Sequence, residues 1–302
     1  FDGTFNFVIT AWKADPGNSL AGYTEGNTMS FIIYDTSADL EAPSEATYTV
    51  GDGTFGFNEF TALSLNGTVY IIQEVIVTGG MYNLISFNLL PRYTSSTTVF
   101  NGLQDLQITY NDAGGALIPP YNINTIGDIY FLDGYHVFST VADTVFYEGT
   151  SINPMNWGIH VDAGQWNSIS YLGETSLAIT SLIDPILVDS ISAVQTSSGL
   201  LWVPSLSVNT IGNMIPGIGY QIALSSPSDI DIYYQTTNGN SKEYIPEAPK
   251  PKHFTFEETG IPYNIIVENP TFEGLPLVPG DEIAVFDMGI CVGAAVYTGQ
   301  HR

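Results

Sequence analysis

Apolar residues recur at every second position in short runs along most of this chain, which is the spacing of half-buried β-strands. Phe5, Phe7 and Ile9 lead into Ala11-Trp12, and Met29 to Tyr34, Tyr48 to Val50, Phe60 to Leu65 and Val69 to Val77 follow. Between them lie turn and loop clusters: Asp15-Pro16-Gly17-Asn18, Gly22 to Asn27, a polar stretch from Ser37 to Ser44, and Gly51 to Gly56. Asn66-Gly67 reads as a type I′ hairpin, and Gly79-Gly80 and Gly114-Gly115 as hairpin turns. Near the other end, Gly280 to Asp287 and Met288 to Gly299 predict two strands joined by a tight turn. Ile283, Val285, Cys291, Gly293, Ala295 and Tyr297 mark the period-2 faces of this pair. The expected class is all-β.

An internal repeat organises the middle of the chain. Tyr82-Asn83-Leu84-Ile85-Ser86-Phe87 is echoed by Trp166-Asn167-Ser168-Ile169-Ser170-Tyr171. Asn124-Thr125-Ile126-Gly127 is echoed by Asn209-Thr210-Ile211-Gly212, and Gly134-Tyr135 by Gly219-Tyr220, all at an offset of about 85 residues. Short helical turns are expected after Thr94 and between Ser176 and Ile183. The reading divides the chain into 1–77, the N-terminal part of a split sandwich; 78–161 and 162–238, two β-rich repeats; 239–252, a proline- and lysine-rich linker; and 253–302, C-terminal strands that complete a sandwich. The linker holds Lys242, Lys250 and Lys252. It reads as a solvated spacer or as a basic strap on a neighbour's acidic face.

Composition narrows the function. Six Lys and Arg stand against 31 Asp and Glu among 302 residues, for a net charge of −25. Such a field repels nucleic acid and anionic membranes, so no nucleic-acid partner is expected. No apolar run approaches the ~20 residues that span a bilayer as a helix, so no membrane insertion is expected. The single cysteine, Cys291, excludes an internal disulfide framework and reads as a small packed residue. A surface of Thr, Ser, Asn, Gln and Tyr with few cations suits a secreted protein.

Three signatures resemble modules of large secreted, multi-module surface proteins of the Bacteroidota and related marine bacteria. They are Gly280-Asp281-Glu282-Ile283 with Cys291-Val292-Gly293-Ala294; Ile9-Thr10-Ala11-Trp12-Lys13 with Gly22-Tyr23-Thr24-Glu25; and the Trp/Tyr-Asn-x-Ile-Ser repeat. In that family the Gly-Asp-Glu-Ile element precedes the Ala-Trp-Lys element within one β-sandwich. Here the order is reversed, and placing Gln300-His301-Arg302 before Phe1 restores it. The resemblance implies an Ig-like sandwich split between the two ends and an extracellular location. An arginine at the end also fits cleavage by a trypsin-like protease. The expected function is a pilus-like filament whose partners are copies of the chain, joined head-to-tail by strand donation. The expected interface comprises Ile283, Val285, Phe286, Cys291, Val292, Ala295, Val296 and Tyr297 against Phe5, Phe7, Ile9 and Trp12. Two other readings stay open: a fragment of a giant surface adhesin or stalk, and a carbohydrate-binding module or carbohydrate-active enzyme.

Catalytic chemistry finds little purchase. Asp35-Thr36-Ser37 resembles half of an aspartic-protease motif, without the second half that a shared proton requires. His136, His160, His253 and His301 show no metal-ligand spacing in sequence. No enzyme and no cofactor are expected. Calcium is the one ion considered, with Asp281, Glu282 and Asp287 beside the terminal strands and Asp15 and Glu25 in the other half's loops. Lys13 is expected to pair with Asp15 or a neighbouring acid. A surface glycan is a possible partner through aromatic stacking, with Trp157 the freer candidate and Trp166 expected in the core.

Overall fold

The computed structural model describes residues 8–36, 39–56, 60–235, 248–267, 270–272 and 275–299. Strands carry these residues, helices are single turns, and the fold is all-β. No helix among the described residues is long and apolar enough to cross a membrane. The chain divides into two units, Phe1–Tyr70 and Ile71–Arg302.

In the first unit, β1 (Phe31–Asp35), β2 (Leu40–Val50) and β3 (Ala62–Gly67) form an antiparallel sheet in that order. Three expectations are corrected here. Ala42, Pro43 and Ser44 are not loop but part of the central strand, where Pro43 sits opposite Ile32 and supplies no ladder donor. Asn66-Gly67 does not turn; the two residues pair with Glu45 and Ser44. Gly67 lies so close to Ser44 and Ala42 that a Cβ would come within 3.1 Å of the serine hydroxyl. Ile9 to Trp12 lie outside any strand. Lys13 instead makes one parallel bridge to Tyr23, and the Trp12 carbonyl accepts the Tyr23 N–H at 2.9 Å. Gly22 permits that approach, since a Cβ there would fall 2.3 Å from the same carbonyl oxygen. The Asp15 turn forms as expected, with its carboxylate accepting from the Gly17 N–H.

The second unit contains the same main-sheet topology twice. Its first copy comprises β4 (Ile71–Val77), β5 (Tyr82–Ile85), β6 (Leu89–Pro91), α1 (Ser96–Val99), β7 (Leu106–Tyr110), β8 (Ala116–Ile118), β9 (Ile123–Asn124), β10 (Tyr135–Ser139) and β11 (Asp143–Ser151). Its second comprises β12 (Gly158–Val161), β13 (Trp166–Ile169), β14 (Leu177–Ala178), α2 (Ile179–Leu182), β15 (Ile191–Gln195), β16 (Leu201–Val203), β17 (Val208–Asn209), β18 (Asn213–Met214), β19 (Tyr220–Leu224) and β20 (Ile230–Tyr233). The main sheets run β5-β10-β7-β8-β9 and β13-β19-β15-β16-β17, the same order in each copy. Strand β4, which sequence placed with the N-terminal part, pairs along its length with β11. Gly79-Gly80 therefore carries the chain from one sheet to another and closes no hairpin.

Each sequence landmark has a local task. Asn124 and Asn209 accept the N–H groups of Gly127 and Gly212, whose positive φ of 67° and 62° suits glycine. Thr125 and Thr210 close the ladder onto Ala116 and Leu201 through backbone and hydroxyl. Tyr135 and Tyr220 are buried, and their hydroxyls accept the N–H groups of Tyr130 and Ile215. Asn83 and Asn167 close the turns onto Thr78 and Asp162. This last role corrects the expectation for Trp166. The inward position is Asn167, 4% exposed, whereas Trp166 is 41% exposed.

The two copies then grip each other reciprocally. Ser86 N–H donates to the Gly217 carbonyl and Ser170 N–H to that of Leu132. The Ser86 hydroxyl donates to the Ile218 carbonyl at 2.7 Å, and the Ser170 hydroxyl to that of Asp133 at 2.8 Å. Gly219 N–H reaches Leu84, and Gly134 N–H reaches Ser168. These contacts recur with the copies exchanged, so this part of the interface is isologous and closed. Each copy has its own apolar core, one built around Phe87, Tyr135 and Tyr147, the other around Tyr171, Trp202 and Tyr220.

Candidate assembly surfaces

The C-terminal strands form the expected pair: β23 (Glu282–Asp287) and β24 (Ile290–Val296), antiparallel. They are joined by Met288-Gly289, whose φ values of 47° and 87° are those of a type I′ turn. Ile283 faces Ala295 and Val285 faces Gly293. A bulge follows, so Cys291 lies opposite Phe286 and Val292 becomes the extra residue of β24. Val296 pairs with Glu282, and the Tyr297 N–H donates to the Asp281 carbonyl. The pair is a two-stranded sheet of its own, with both outer edges free of a described partner strand. Val285, Phe286, Met288, Ile290 and Val292 are exposed.

This hairpin is held to its own chain by an acid. The Glu282 carboxylate accepts the N–H groups of Lys252, His253 and Phe254, which hold its pKa below the ordinary carboxylate value, the Lys252 N–H most of all. Phe254 meets Phe286 edge-on at 5.9 Å. A second short pair, β21 (Thr271–Phe272) with β22 (Leu275–Pro276), precedes it.

In the first unit Ile9 is 68% exposed and Trp12 76% exposed, and Phe5 and Phe7 lie outside the described residues. Ile32, Ile33, Tyr34, Val50 and Phe60 are exposed too, and Ala42 is the sole buried apolar residue described there. Among the described residues neither core cluster reaches outside 75–234, and no apolar residue of 248–299 is buried. Among the described residues both terminal parts are strand-bearing and without a core.

Among the described residues none of Asp15, Glu25, Asp281, Glu282 or Asp287 belongs to a group of three ligand atoms. Asp15 caps its turn, Asp281 accepts the Val278 N–H, Glu282 holds the linker, and Glu25 pairs with Lys13. Lys242 of the linker lies outside the described residues, and His301 does too.

The glycan candidates change places. Trp157 packs edge-on to Phe131 at 4.8 Å, Trp202 is buried, and Trp166 is exposed. A cavity of about 200 Å³ between the copies is lined by Tyr110, Asp112, His136, Ser168 and the strap Gly260-Ile261-Pro262. His136 Nε2 lies 3.3 Å from the Ser168 hydroxyl, but Asp112 accepts the Ser168 backbone N–H, and His136 Nδ1 has no partner. A serine–histidine relay needs its acid on that nitrogen. Sequence reading missed one further cluster, His160 with Asp162, Asp229 and Asp231; its only signal was two alternating pairs, His-x-Asp and Asp-x-Asp, about 70 residues apart.

No protein-family model, curated protein or solved structure matches the chain.

Proposed function

We propose that this protein is the structural subunit of an extracellular filament, assembled head-to-tail by donation of the β23–β24 hairpin to the N-terminal sheet of the next copy. One observation carries the proposal: among the described residues, two cored repeats are flanked on both sides by strand-bearing segments that have no core. A sheet with apolar side chains on its surface and open edges is a template for an added strand. β1 and β3 are both edges, with five and six residues, and the donated strands have six and seven. Together the two parts would form one Ig-like sandwich. Insertion of the hairpin would bury on the order of 1,000 Å² or more, the range of stable interfaces.

The central pair favours this route over lateral association. Its repeats meet through an isologous contact that closes on itself, so it offers no open end for growth. Growth therefore falls to the terminal parts, whose contact is heterologous and propagates. Export to the cell surface belongs to the same proposal, supported by the acidic, cation-poor composition and the family resemblance.

Electron microscopy of the extracellular fraction tests the reading against a chain ending at Gly280. Long uniform filaments from the full chain, absent after truncation, are expected. Monodisperse particles from both would contradict it and favour a fragment of a longer adhesin or stalk.

A further inference from the structure

Strands β12 and β20 place His160 directly opposite Asp231. Ile159, Val161 and Ile232 are fully buried, and alternation turns His160 and Asp231 to the outer face. Asp231 Oδ1 lies 2.8 Å from His160 Nδ1, which orients the ring and leaves Nε2 as the outer nitrogen. Nε2 lies 3.4 Å from Asp162 Oδ1 and 4.0 Å from Asp229 Oδ2. Each acid is steadied by its other oxygen: Asp162 Oδ2 accepts from Gln165 Nε2, and Asp229 Oδ1 accepts the Ala163 N–H, both at 2.8 Å. One imidazole nitrogen and two carboxylate oxygens from three side chains thus lie within 4.8 Å of one another.

The internal repeat supplies a control. Val77 pairs with Asp143 as Val161 pairs with Ile230, and Asn83 closes onto Thr78 as Asn167 closes onto Asp162. The positions of the first copy that match His160, Asp162, Asp229 and Asp231 are therefore Ile76, Thr78, Ala142 and Thr144. None of these residues is a histidine or a carboxylate, and Ile76 is 77% exposed. The same strand pair and turn form without the cluster, so the fold does not require it. All four positions differ together, and in the second copy three of the side chains present ligand atoms to one another while Asp231 holds the far ring nitrogen.

From this we infer that His160, Asp162 and Asp229 bind a first-row divalent transition ion, with Asp231 as the positioning residue behind the imidazole. A tetrahedral zinc with bonds of about 2.0–2.1 Å keeps its ligand atoms roughly 3.3 Å apart, so these side chains need close by at most about 1.5 Å. Imidazole with carboxylates favours zinc, nickel or cobalt over magnesium or calcium. A carboxylate on the far ring nitrogen is the usual support of a ligating histidine. Three protein ligands leave at least one coordination position for water or for a group from another molecule.

Calorimetric titration of Zn²⁺ into the full chain at pH 8 tests the site. One strong site per chain is expected above the weak binding of an acidic surface, and excess Ca²⁺ does not displace it. His160→Ala abolishes the strong site, and Asp231→Asn weakens it by about 10- to 100-fold. Co²⁺ gives visible absorption bands that His160→Ala removes. These side chains are exposed, so an unchanged melting temperature shows that each variant is folded. Weak binding that His160→Ala leaves unaltered, or equal competition by Ca²⁺, overturns the inference.

Discussion

Asp133 and His136 lie at the junction of the two repeats and respond to pH in opposite senses. Burial, reinforced by Asp112, pushes the Asp133 pKa up from 3.8 to about 7. Burial pushes the His136 pKa down from 6.5 to about 4. The folded state thus holds a proton on Asp133 that the unfolded chain releases, so this group costs stability as pH rises from about 4 to 7. His136 does the reverse: the unfolded chain takes up the proton, so stability falls as pH drops from about 6.5 to 4. Across the shared window the two effects oppose each other. Replacing Asp133 by Asn leaves the histidine alone. Stability of Asp133→Asn is then expected to rise with pH between about 4 and 6.5, by at most on the order of 3 kcal/mol more than in the parent. Urea melts at pH 4.5 and 6.5 measure this; identical slopes for parent and variant would contradict the assignment.

Strands and short turns show how far the sequence could be read. The alternation of apolar residues, the 85-residue repeat, the Met288-Gly289 hairpin and the two single-turn helices were legible because each rests on local chemistry. Asn66-Gly67 misled because the neighbouring strand competes for its backbone groups, and pairing with β2 prevailed over the local turn preference. Trp166 misled because Asn167 and Ser170 face inward, bonded to backbone, and hydrophobicity does not reveal an inward polar residue. The interface between the repeats stayed hidden for the same reason. Its key groups are two serines, Ser86 and Ser170, both 0% exposed, and each hydroxyl serves the other copy. Either serine replaced by Ala leaves a buried carbonyl and a buried N–H without a partner and is expected to cost about 1–3 kcal/mol. Because the Phe87 N–H reaches Ser170 and the Tyr171 N–H reaches Ser86, the two changes are coupled. A double-mutant cycle by denaturant melts checks this, and a cost near zero for both single variants would show that the grip is not structural.

At the scale of the whole molecule, stability and exposed apolar surface are segregated. Residues 75–234 hold both apolar cores, while Trp12, Ile32, Phe60, Phe286, Ile290 and Val292 are exposed in the terminal parts. An isolated two-stranded hairpin is marginal in water and gains stability by joining a larger sheet. In the proposed filament, donation between copies supplies that stability. Two variants separate donor from acceptor. A chain ending at Gly280 keeps the acceptor sheet and lacks the donor. A full-length chain with Ile32→Asp and Phe60→Asp keeps the donor and carries charge on the acceptor; both positions are exposed, at 66% and 75%, so the unassembled chain tolerates them. The most direct measurement is light scattering on each variant alone and on an equimolar mixture. Strand donation gives a monomer for each variant alone and, on mixing, a complex of about twice the monomer mass that grows no further. Monomers that stay monomeric on mixing would contradict strand donation.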